Sequence, residues 1–330
     1  MRKRPMRVLV LGATGHAGQA IVRHALEHGH DVTAATTRAD PQPLRGLGVN
    51  IVRVDPELRS LAELVAGHEL LVDAAAPYFL ELCLPGSVQW RSQVDAAVRR
   101  MQIVIDAARQ SDATLAHVGT YGTVSRQDTS LAANGALWRR MVSPYYETKT
   151  AMELAIRSAA EHGLRAVIVN PVTFVGPWNF RPTWNFVPAI LAGSMPMVVD
   201  QVVCVIDVRD VACAIDLAMS QEYFGRPIPL AGHNIHARDL VVQTARLAGV
   251  PSMPPMAMPG PLAAAGAYWT HLAFSAFGLK SPDVLGLIAV TPELMPVNPS
   301  PEQIALGVPI RPLEESLRDA VAFHQGQLVI

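Results

Sequence analysis

A tyrosine and a lysine stand four residues apart where a helical pattern begins. Tyr145 and Lys149 bound the segment Tyr-Tyr-Glu-Thr-Lys, and positions i and i+4 of a helix share one face. An ammonium beside a phenol favours the phenolate, which suits Tyr145 as a general acid, or as a base in the reverse direction. Thr120 ends a predicted strand before this helix, and its hydroxyl can point at the same carbonyl. The three residues predict reduction or oxidation of a carbonyl/alcohol pair.

Three glycines follow the first predicted strand and open the first predicted helix. Gly12 permits a tight turn, Gly15 lets backbone amides approach a pyrophosphate, and Gly18 lets the helix pack closely on the strand. The helix N-terminus adds amides and the positive end of its dipole. In this strand–turn–helix context we predict a dinucleotide site whose loop contacts are Gly12, Thr14, Gly15, His16, Ala17 and Gly18.

The end of the second predicted strand favours NADP(H) over NAD(H). An acid about 20 residues past the glycine loop would hold a ribose 2′-hydroxyl, but the segment here is Thr36-Thr37-Arg38. Arg38 can pair with a 2′-phosphate through its planar fork; the alternative is an exposed surface arginine. Asp55 follows the third strand and is predicted to accept a hydrogen bond from adenine. A turn-forming aspartate before Pro56 is the alternative.

Strands and helices alternate along the first half of the chain. This alternation predicts an α/β fold, a Rossmann doubly wound parallel sheet. The predicted strands cover 6–11, 31–37, 49–54, 69–75, 114–120 and 165–169, and the predicted helices cover 17–28, 58–66, 88–110 and 145–162.

A chain of 330 residues exceeds what one hydrophobic core usually serves. We predict a Rossmann domain at 1–171, completed by segments around 203–232. A smaller, mostly helical C-terminal substrate lobe takes 172–202 and 233–330. A further strand and helix are predicted at 230–233 and 237–247, and a terminal helix at 312–323.

The composition of the chain excludes several classes of binding partner. The net charge is −1 and no basic cluster stands out, so we expect no nucleic-acid partner. The three cysteines show no metal-ligand spacing, and the basic N-terminus lacks a signal peptide's apolar stretch; we therefore expect no metal and a cytoplasmic location. Residues 256–278 contain no Lys, Arg, Asp or Glu. We interpret them as an apolar helix lining a substrate pocket, with peripheral membrane contact as the alternative and no integral span.

The chain resembles the extended (atypical) short-chain dehydrogenases/reductases of the NAD-dependent epimerase/dehydratase superfamily. It is most like the dihydroflavonol reductase / 3β-hydroxysteroid dehydrogenase branch. The glycine loop, the strand end at Thr36-Thr37-Arg38 and the Thr120, Tyr145 and Lys149 segments carry this likeness. So do three further segments, namely 74–77, 170–177 and 207–212.

The resemblance implies roles for several residues. Lys149 would also hold the nicotinamide ribose hydroxyls, and a homodimer or monomer is expected. Other cofactor contacts would come from Pro56, Ala75, Ala76, Pro77, Pro171, Thr173 and Phe174. Two departures, Gly119 in place of a second hydroxyl and Tyr121-Gly122 in place of an acidic pair, disfavour dehydratase chemistry and leave hydride transfer intact.

The lobe favours an apolar substrate. A nucleotide sugar would need several cations for its diphosphate, yet 183–206 and 247–279 contain no Lys or Arg. Tyr78, Tyr121, Trp178 and Phe180 are the predicted substrate contacts. Further aromatic residues could line the same cavity, and core packing is the alternative for every aromatic residue named in this paragraph. These further residues are Trp184, Phe186, Tyr268, Trp269, Phe274 and Phe277. His117 is predicted to be a core histidine, because Tyr145 already supplies the catalytic proton.

The sequence therefore predicts an NADPH-dependent ketoreductase or dehydrogenase acting on an apolar, cyclic or aromatic substrate. Two alternatives stay open. One is an NAD-dependent sugar-nucleotide epimerase. The other is a non-catalytic NADPH-binding sensor or scaffold, since a fold does not fix a function.

Overall fold

The computed structural model describes residues 4–75, 77, 83, 86–126, 144–180, 185–251, 255–277, 279 and 296–327. Three residues named above, Ala76, Tyr78 and Trp184, lie outside these ranges. Within them, strands and helices alternate through the first half of the chain as predicted.

Seven parallel strands form the central sheet, in the order β10-β6-β5-β4-β1-β2-β3. The order reverses between β1 and β4, and a doubly wound sheet binds its ligand in the crevice at such a reversal. Short apolar runs form these strands because helices cover both faces of the sheet. The strands are β1 (Arg7–Leu11), β2 (Asp31–Thr36), β3 (Asn50–Arg53), β4 (Leu70–Asp73), β5 (Thr114–Val118), β6 (Ala166–Pro171) and β10 (Pro227–Leu230).

Two hydrophobic clusters lie on opposite faces of this sheet. On one face Ile21 and Ala25 of the first helix pack with Ile215 of the sixth. On the other, Met101 and Met152 join the third and fourth helices. The helices involved are α1 (His16–Glu27), α2 (Leu61–Val65), α3 (Val88–Gln110), α4 (Tyr145–Glu161) and α6 (Val208–Ser220). The predicted bounds of α3 are confirmed.

The second half adds two small sheets and further helices. One sheet has the order β11-β9-β7 and the other pairs β12 with β8. The strands are β7 (Thr173–Val175), β8 (Met197–Asp200), β9 (Val202–Asp207), β11 (His233–His236) and β12 (Met256–Pro259). The helices are α5 (Phe186–Leu191), α7 (Ala237–Ala248), α8 (Gly260–Ala276), α9 (Pro301–Ala305) and α10 (Leu313–His324).

Some predicted elements are wrong in extent. The predicted strand 114–120 ends at Val118, because the Thr120 carbonyl accepts a hydrogen bond from the Thr123 amide and turns the chain. The predicted strand 230–233 is two strands in different sheets. Gly232 lies between them, and a Cβ there would stand 2.1 Å from the Val205 carbonyl oxygen.

The uncharged segment 256–278 is also not one helix. Met256–Pro259 is strand β12, paired in parallel with β8, and α8 follows it. Ala263 and Ala267 are the buried residues of α8 among those whose side chains are described, whereas Trp269 is 68% exposed. Among the described residues, the helices are too short or too polar to cross a membrane.

Candidate active site

The glycine loop is held by backbone contacts that leave no room for side chains. A Cβ on Gly12 would lie 2.7 Å from the Ala74 carbonyl oxygen, and Gly12 has a φ of +75°. A Cβ on Gly18 would lie 2.2 Å from the Gly12 carbonyl oxygen. Gly15 caps the N-terminus of α1, and Ala17 is buried in its first turn. The loop therefore brings the first amides of α1 to the crevice between β1 and β4.

Hydroxyl groups join this loop to the end of β2. The Thr14 and Thr36 hydroxyl oxygens lie 3.1 Å apart, and the Arg38 amide donates to the Thr36 oxygen at 3.1 Å. The Arg38 side chain is exposed beyond this turn. Asp40, the next acid along the chain, accepts hydrogen bonds from Arg45 and from the Gln42 amide.

Asp55 makes the turn contact that its alternative role predicts, and its contact with adenine stays a prediction. One carboxylate oxygen accepts from the Arg59 amide at 3.1 Å, which is a turn contact. The other oxygen is buried and has no hydrogen-bond partner among the described residues. Asp55 is one of the residues that line a cavity of about 360 Å³ between β3 and α2. The neighbouring Pro56 is exposed.

Tyr145 and Lys149 lie together at the start of α4, and both are buried. The Lys149 Nζ atom is 5.7 Å from the centroid of the Tyr145 ring. Tyr146 packs edge-to-face on Tyr145, with ring centroids 4.9 Å apart. The helix is fixed to α3 by a hydrogen bond of 3.0 Å from Trp90 Nε1 to Glu147.

The two glycines that replace usual polar residues have steric reasons. A Cβ on Gly119 would lie 2.2 Å from the Asn170 Oδ1 atom. A Cβ on Gly122 would lie 2.0 Å from the Tyr146 ring. Side chains from β6 and α4 thus occupy the space on either side of Thr120, which is half-buried between them.

A buried polar network supports this turn. Glu153 of α4 accepts hydrogen bonds from Thr123 and, at 2.9 Å, from the Asn170 amide nitrogen. Thr123 also donates to the Thr120 carbonyl at 3.0 Å. The network ties the turn bearing Thr120 to the helix bearing Tyr145 and Lys149.

A second network lies under the loop that follows β4. Asp73 accepts two hydrogen bonds from Arg100, at 3.0 and 2.6 Å, and one from His117 Nδ1 at 3.1 Å. Burial alone would raise the pKa of Asp73, but the Arg100 charge and these hydrogen bonds hold it well below its usual range. Ala75 and Pro77 follow directly and are half-buried. His117 is fully buried, which confirms its predicted place in the core, but its Nε2 atom has no hydrogen-bond partner among the described residues.

His16 connects the glycine loop to the start of the lobe. Its Nε2 atom donates to the Pro177 carbonyl at 2.9 Å, since a carbonyl oxygen can only accept. Burial lowers the pKa of His16 to about 4, so the imidazole is neutral at pH 7. Its ring meets Phe174 edge-to-face at 5.9 Å. Phe174 and Thr173 lie in β7, directly after Pro171 ends β6.

The predicted substrate contacts lie in different places. Trp178 has a φ of +66°. The guanidinium carbon of Arg23, in α1, lies 4.6 Å from the centroid of the Trp178 ring. Phe180 meets Phe323 of α10 edge-to-face at 4.9 Å. Tyr121 is half-buried beside the α1–α6 cluster, and burial raises the pKa of its phenol.

The lobe aromatics are divided between solvent and core, and the alternative of core packing is confirmed for Phe186. Trp269 is exposed and Phe277 is 81% exposed, while Phe186 packs inside the small sheet's core. Sequence reasoning also missed the contacts of Asp73 and Arg100, and it placed Asn170 only in a segment of family likeness. No local spacing marks these contacts, because they join positions 17 to 47 residues apart in the chain.

The parallel sheet, its order reversal and the glycine loop define a nucleotide-binding Rossmann fold. The profile of the NAD dependent epimerase/dehydratase family matches residues 8–228, and the chain belongs to this family. It is an NAD(P)-dependent enzyme of the short-chain dehydrogenase/reductase superfamily, as the resemblance predicted.

Named relatives extend this comparison. A Synechocystis sp. protein with a provisional name as a dihydroflavonol 4-reductase is 27% identical, over 96% of this chain and 94% of its own. The Methylococcus capsulatus sterol demethylase protein B is 30% identical, over 77% and 80%. A solved nucleoside-diphosphate-sugar epimerase from Pseudomonas aeruginosa superposes with a TM-score of 0.72 at 21% identity, over 97% of this chain and 98% of its own.

Proposed function

We propose that the protein is an NADPH-dependent ketoreductase or dehydrogenase acting on an apolar, cyclic or aromatic carbonyl or alcohol. The observation that carries this proposal is the buried pair of Tyr145 and Lys149, with Nζ 5.7 Å from the ring centroid. The pair begins α4 beside the turn that bears Thr120. The dihydroflavonol and sterol in the names of the two relatives are polycyclic compounds, which agrees with an apolar substrate.

In this proposal each residue of the chain has one task. Tyr145 gives its phenolic proton to the carbonyl oxygen, and the Lys149 ammonium stabilises the phenolate that remains. Thr120 donates a hydrogen bond to the same oxygen and fixes its direction. A bound nicotinamide cofactor supplies the hydride. The Asn170–Glu153–Thr123 network keeps the turn and the helix at a constant separation.

The residues present fit such a cofactor. The space that a Cβ on Gly12 or Gly18 would fill is needed for close backbone packing, and the unpartnered Asp55 oxygen offers an acceptor for an adenine amino group. Arg38 is the cation for a 2′-phosphate, and Asp40 is engaged by Arg45, which supports NADP(H) over NAD(H). The remaining proposed contacts are Thr14, Gly15, His16, Ala17, Pro56, Ala75, Ala76, Pro77, Pro171, Thr173 and Phe174.

We assign the cofactor domain to 1–171 with 203–232, and the substrate lobe to 172–202 and 233–330. Tyr78, Tyr121, Trp178 and Phe180 are the substrate contacts in this division. The protein would act in the cytoplasm as a homodimer or monomer. Peripheral membrane contact through α8 is the competing location, favoured by exposed Trp269 and Leu272.

Tyr145→Phe tests the chemistry, with Tyr146→Phe as the matched control. Both changes keep the ring and remove one hydroxyl. We expect Tyr145→Phe to lower kcat by a factor of about 10² to 10⁴ with NADPH affinity nearly unchanged, and Tyr146→Phe to stay close to the parent. Full turnover in Tyr145→Phe would refute the assignment.

Arg38→Ala tests the cofactor preference, with Arg318→Ala, at an exposed arginine of α10, as the control. Loss of one charge-assisted contact to phosphate weakens NADPH by about ten- to a hundredfold while NADH affinity stays constant. Equal loss for both cofactors would contradict the role of Arg38.

A sugar-nucleotide epimerase is the second candidate, since a structural neighbour carries that name. An epimerase would retain its nicotinamide cofactor without net consumption. Stoichiometric NADPH oxidation with a panel of apolar ketones would exclude it. NADPH binding with no turnover of ketone or nucleotide sugar would instead indicate a sensor or scaffold.

A further inference from the structure

We infer that His24 of α1, His28 at the C-terminal cap of α1 and Asp216 of α6 form a binding site for a divalent metal ion of the zinc class. His24, His28 and Asp216 each offer one ligand atom, and these atoms lie within 4.8 Å of one another. The site is separate from the proposed chemistry. His24 follows Gly15 by nine residues, which is roughly 13 Å along a helix.

The two helices hold these side chains in register. His24 and His28 are four residues apart, so they share one face at the C-terminal end of α1. Ile21 and Ala25 of that helix pack in the same core cluster as Ile215 of α6. Asp216 is therefore presented to the histidines by the packed core and not by a loose loop.

One histidine is already oriented as a ligand. The His28 Nδ1 atom donates to the His24 carbonyl at 2.7 Å, so its proton stands on Nδ1 and the lone pair on Nε2. Metal-binding histidines characteristically donate their other nitrogen to a carbonyl in this way, which fixes the tautomer. The two rings are stacked with centroids 4.1 Å apart.

The second histidine, His24, has a buried ring nitrogen that a bound metal ion would satisfy. Nε2 of His24 has no hydrogen-bond partner among the described residues and is shielded from water. It faces the Asp216 Oδ2 atom at 3.9 Å, which is too long for a hydrogen bond. Ligands of a tetrahedral zinc ion lie roughly 3.4 Å apart, because each bond is about 2.0–2.2 Å. A small inward movement would complete the site.

The types of the three ligand atoms determine which metal ions the site would bind. Two imidazole nitrogens and one carboxylate oxygen suit Zn²⁺, Ni²⁺ or Cu²⁺. Ca²⁺ and Mg²⁺ prefer oxygen ligands throughout. With three protein ligands, water would take the remaining position, and the ion would join the end of α1 to α6.

Calorimetric titration of the full, tag-free protein with ZnCl₂ tests the site. We expect one equivalent to bind, and His28→Gln and His24→Gln each to weaken the affinity by at least about tenfold. His162→Gln is the matched control. His162 also caps a helix and bonds through Nδ1 to the carbonyl four residues earlier, at 2.7 Å, but no histidine stands at Ser158.

Two further measurements keep the result decisive. Asp216→Asn should weaken Zn²⁺ by a similar factor, and Zn²⁺ should raise the Tm of the parent more than that of His28→Gln. Co²⁺ bound at this site should show no thiolate charge-transfer band, whereas Cys213 of the same helix would produce one. No Zn²⁺ binding, unchanged affinity in His28→Gln, or a thiolate band would overturn the proposal.

Discussion

The turn bearing Thr120 and the helix α8 show how differently packing constrains the two halves of this chain. Around Thr120, two glycines are required by neighbouring atoms and every adjoining element contributes a buried hydrogen bond. In α8, a Cβ on Gly266 would meet nothing within 4 Å, and Leu262, Trp269 and Leu272 are exposed. Buried hydrogen-bonded polar groups fix the geometry of a turn, whereas exposed apolar side chains do not fix that of a helix.

This difference matches the work that each region does in the proposed reaction. A proton transfer needs its donor within hydrogen-bond reach of the reacting oxygen, so the framework of Tyr145 and Lys149 must not move. The substrate lobe must admit an apolar molecule. It contacts the cofactor half at α1, where His16 bonds to Pro177 and Arg23 lies over Trp178. It also contacts that half at Asp210 and Ala231, which bond to Arg311 and Gln303.

Arg100→Met should break the framework most severely. Asp73 would keep its buried charge with only His117 beside it, and removing one partner of a buried pair costs about 3–5 kcal/mol. Urea unfolding measures this loss. Arg318→Met, which removes an exposed pair with Glu314, should change stability by less than about 0.5 kcal/mol. Equal effects would show that the Asp73 network is not structural.

Glycine-to-alanine changes should have opposite signs in the two regions. Gly18→Ala forces the backbone of the cofactor loop apart, so we expect a loss of about 3 kcal/mol and of dinucleotide binding. Gly266→Ala, inside an exposed helix, should stabilise the protein by about 0.5–1 kcal/mol. Thermal unfolding and a cofactor titration measure both. A tolerated Gly18→Ala would contradict the close packing.

The sequence could predict those parts of the site that repeat at short range. One strand is followed by Gly12, Gly15 and Gly18, and one helical turn holds Tyr145 and Lys149. The spacing of these residues along the chain was therefore enough to predict that they lie together. The Asp73–Arg100–His117 and Glu153–Asn170 contacts join elements that only the finished sheet brings together. In the lobe, hydropathy could not separate strand β12 from helix α8, because both are uncharged and apolar.

The contact of His16 with the lobe should make stability depend on pH. The pKa of His16 is lowered from 6.5 to about 4 in the folded chain, chiefly by burial. Between these values the unfolded chain binds the extra proton, so stability falls as pH drops from 6.5 towards 4. The loss is at most about 3 kcal/mol.

Unfolding in urea at several pH values measures this dependence. His16→Gln can still donate to Pro177 and has no charge to acquire, so its stability should fall less in acid. His162→Gln, the same substitution at an exposed helix end, is the matched control and should follow the parent. Identical acid profiles for His16→Gln and the parent would mean that His16 does not carry the effect.

Two tryptophans give the smallest but most direct contrast between the regions. Trp90 is buried and its Nε1 donates to Glu147 at 3.0 Å, so Trp90→Phe should cost about 1–2 kcal/mol through the lost hydrogen bond and the lost ring volume. Trp269→Ser should change stability by less than about 0.5 kcal/mol, since its ring is exposed. The fluorescence emission spectra of the two variants, each compared with that of the parent, test the same difference in burial. A buried indole emits at shorter wavelength than one in water. A large destabilisation by Trp269→Ser would show that α8 packs against another surface in solution. Packing would then constrain α8 as strongly as it constrains the turn around Thr120.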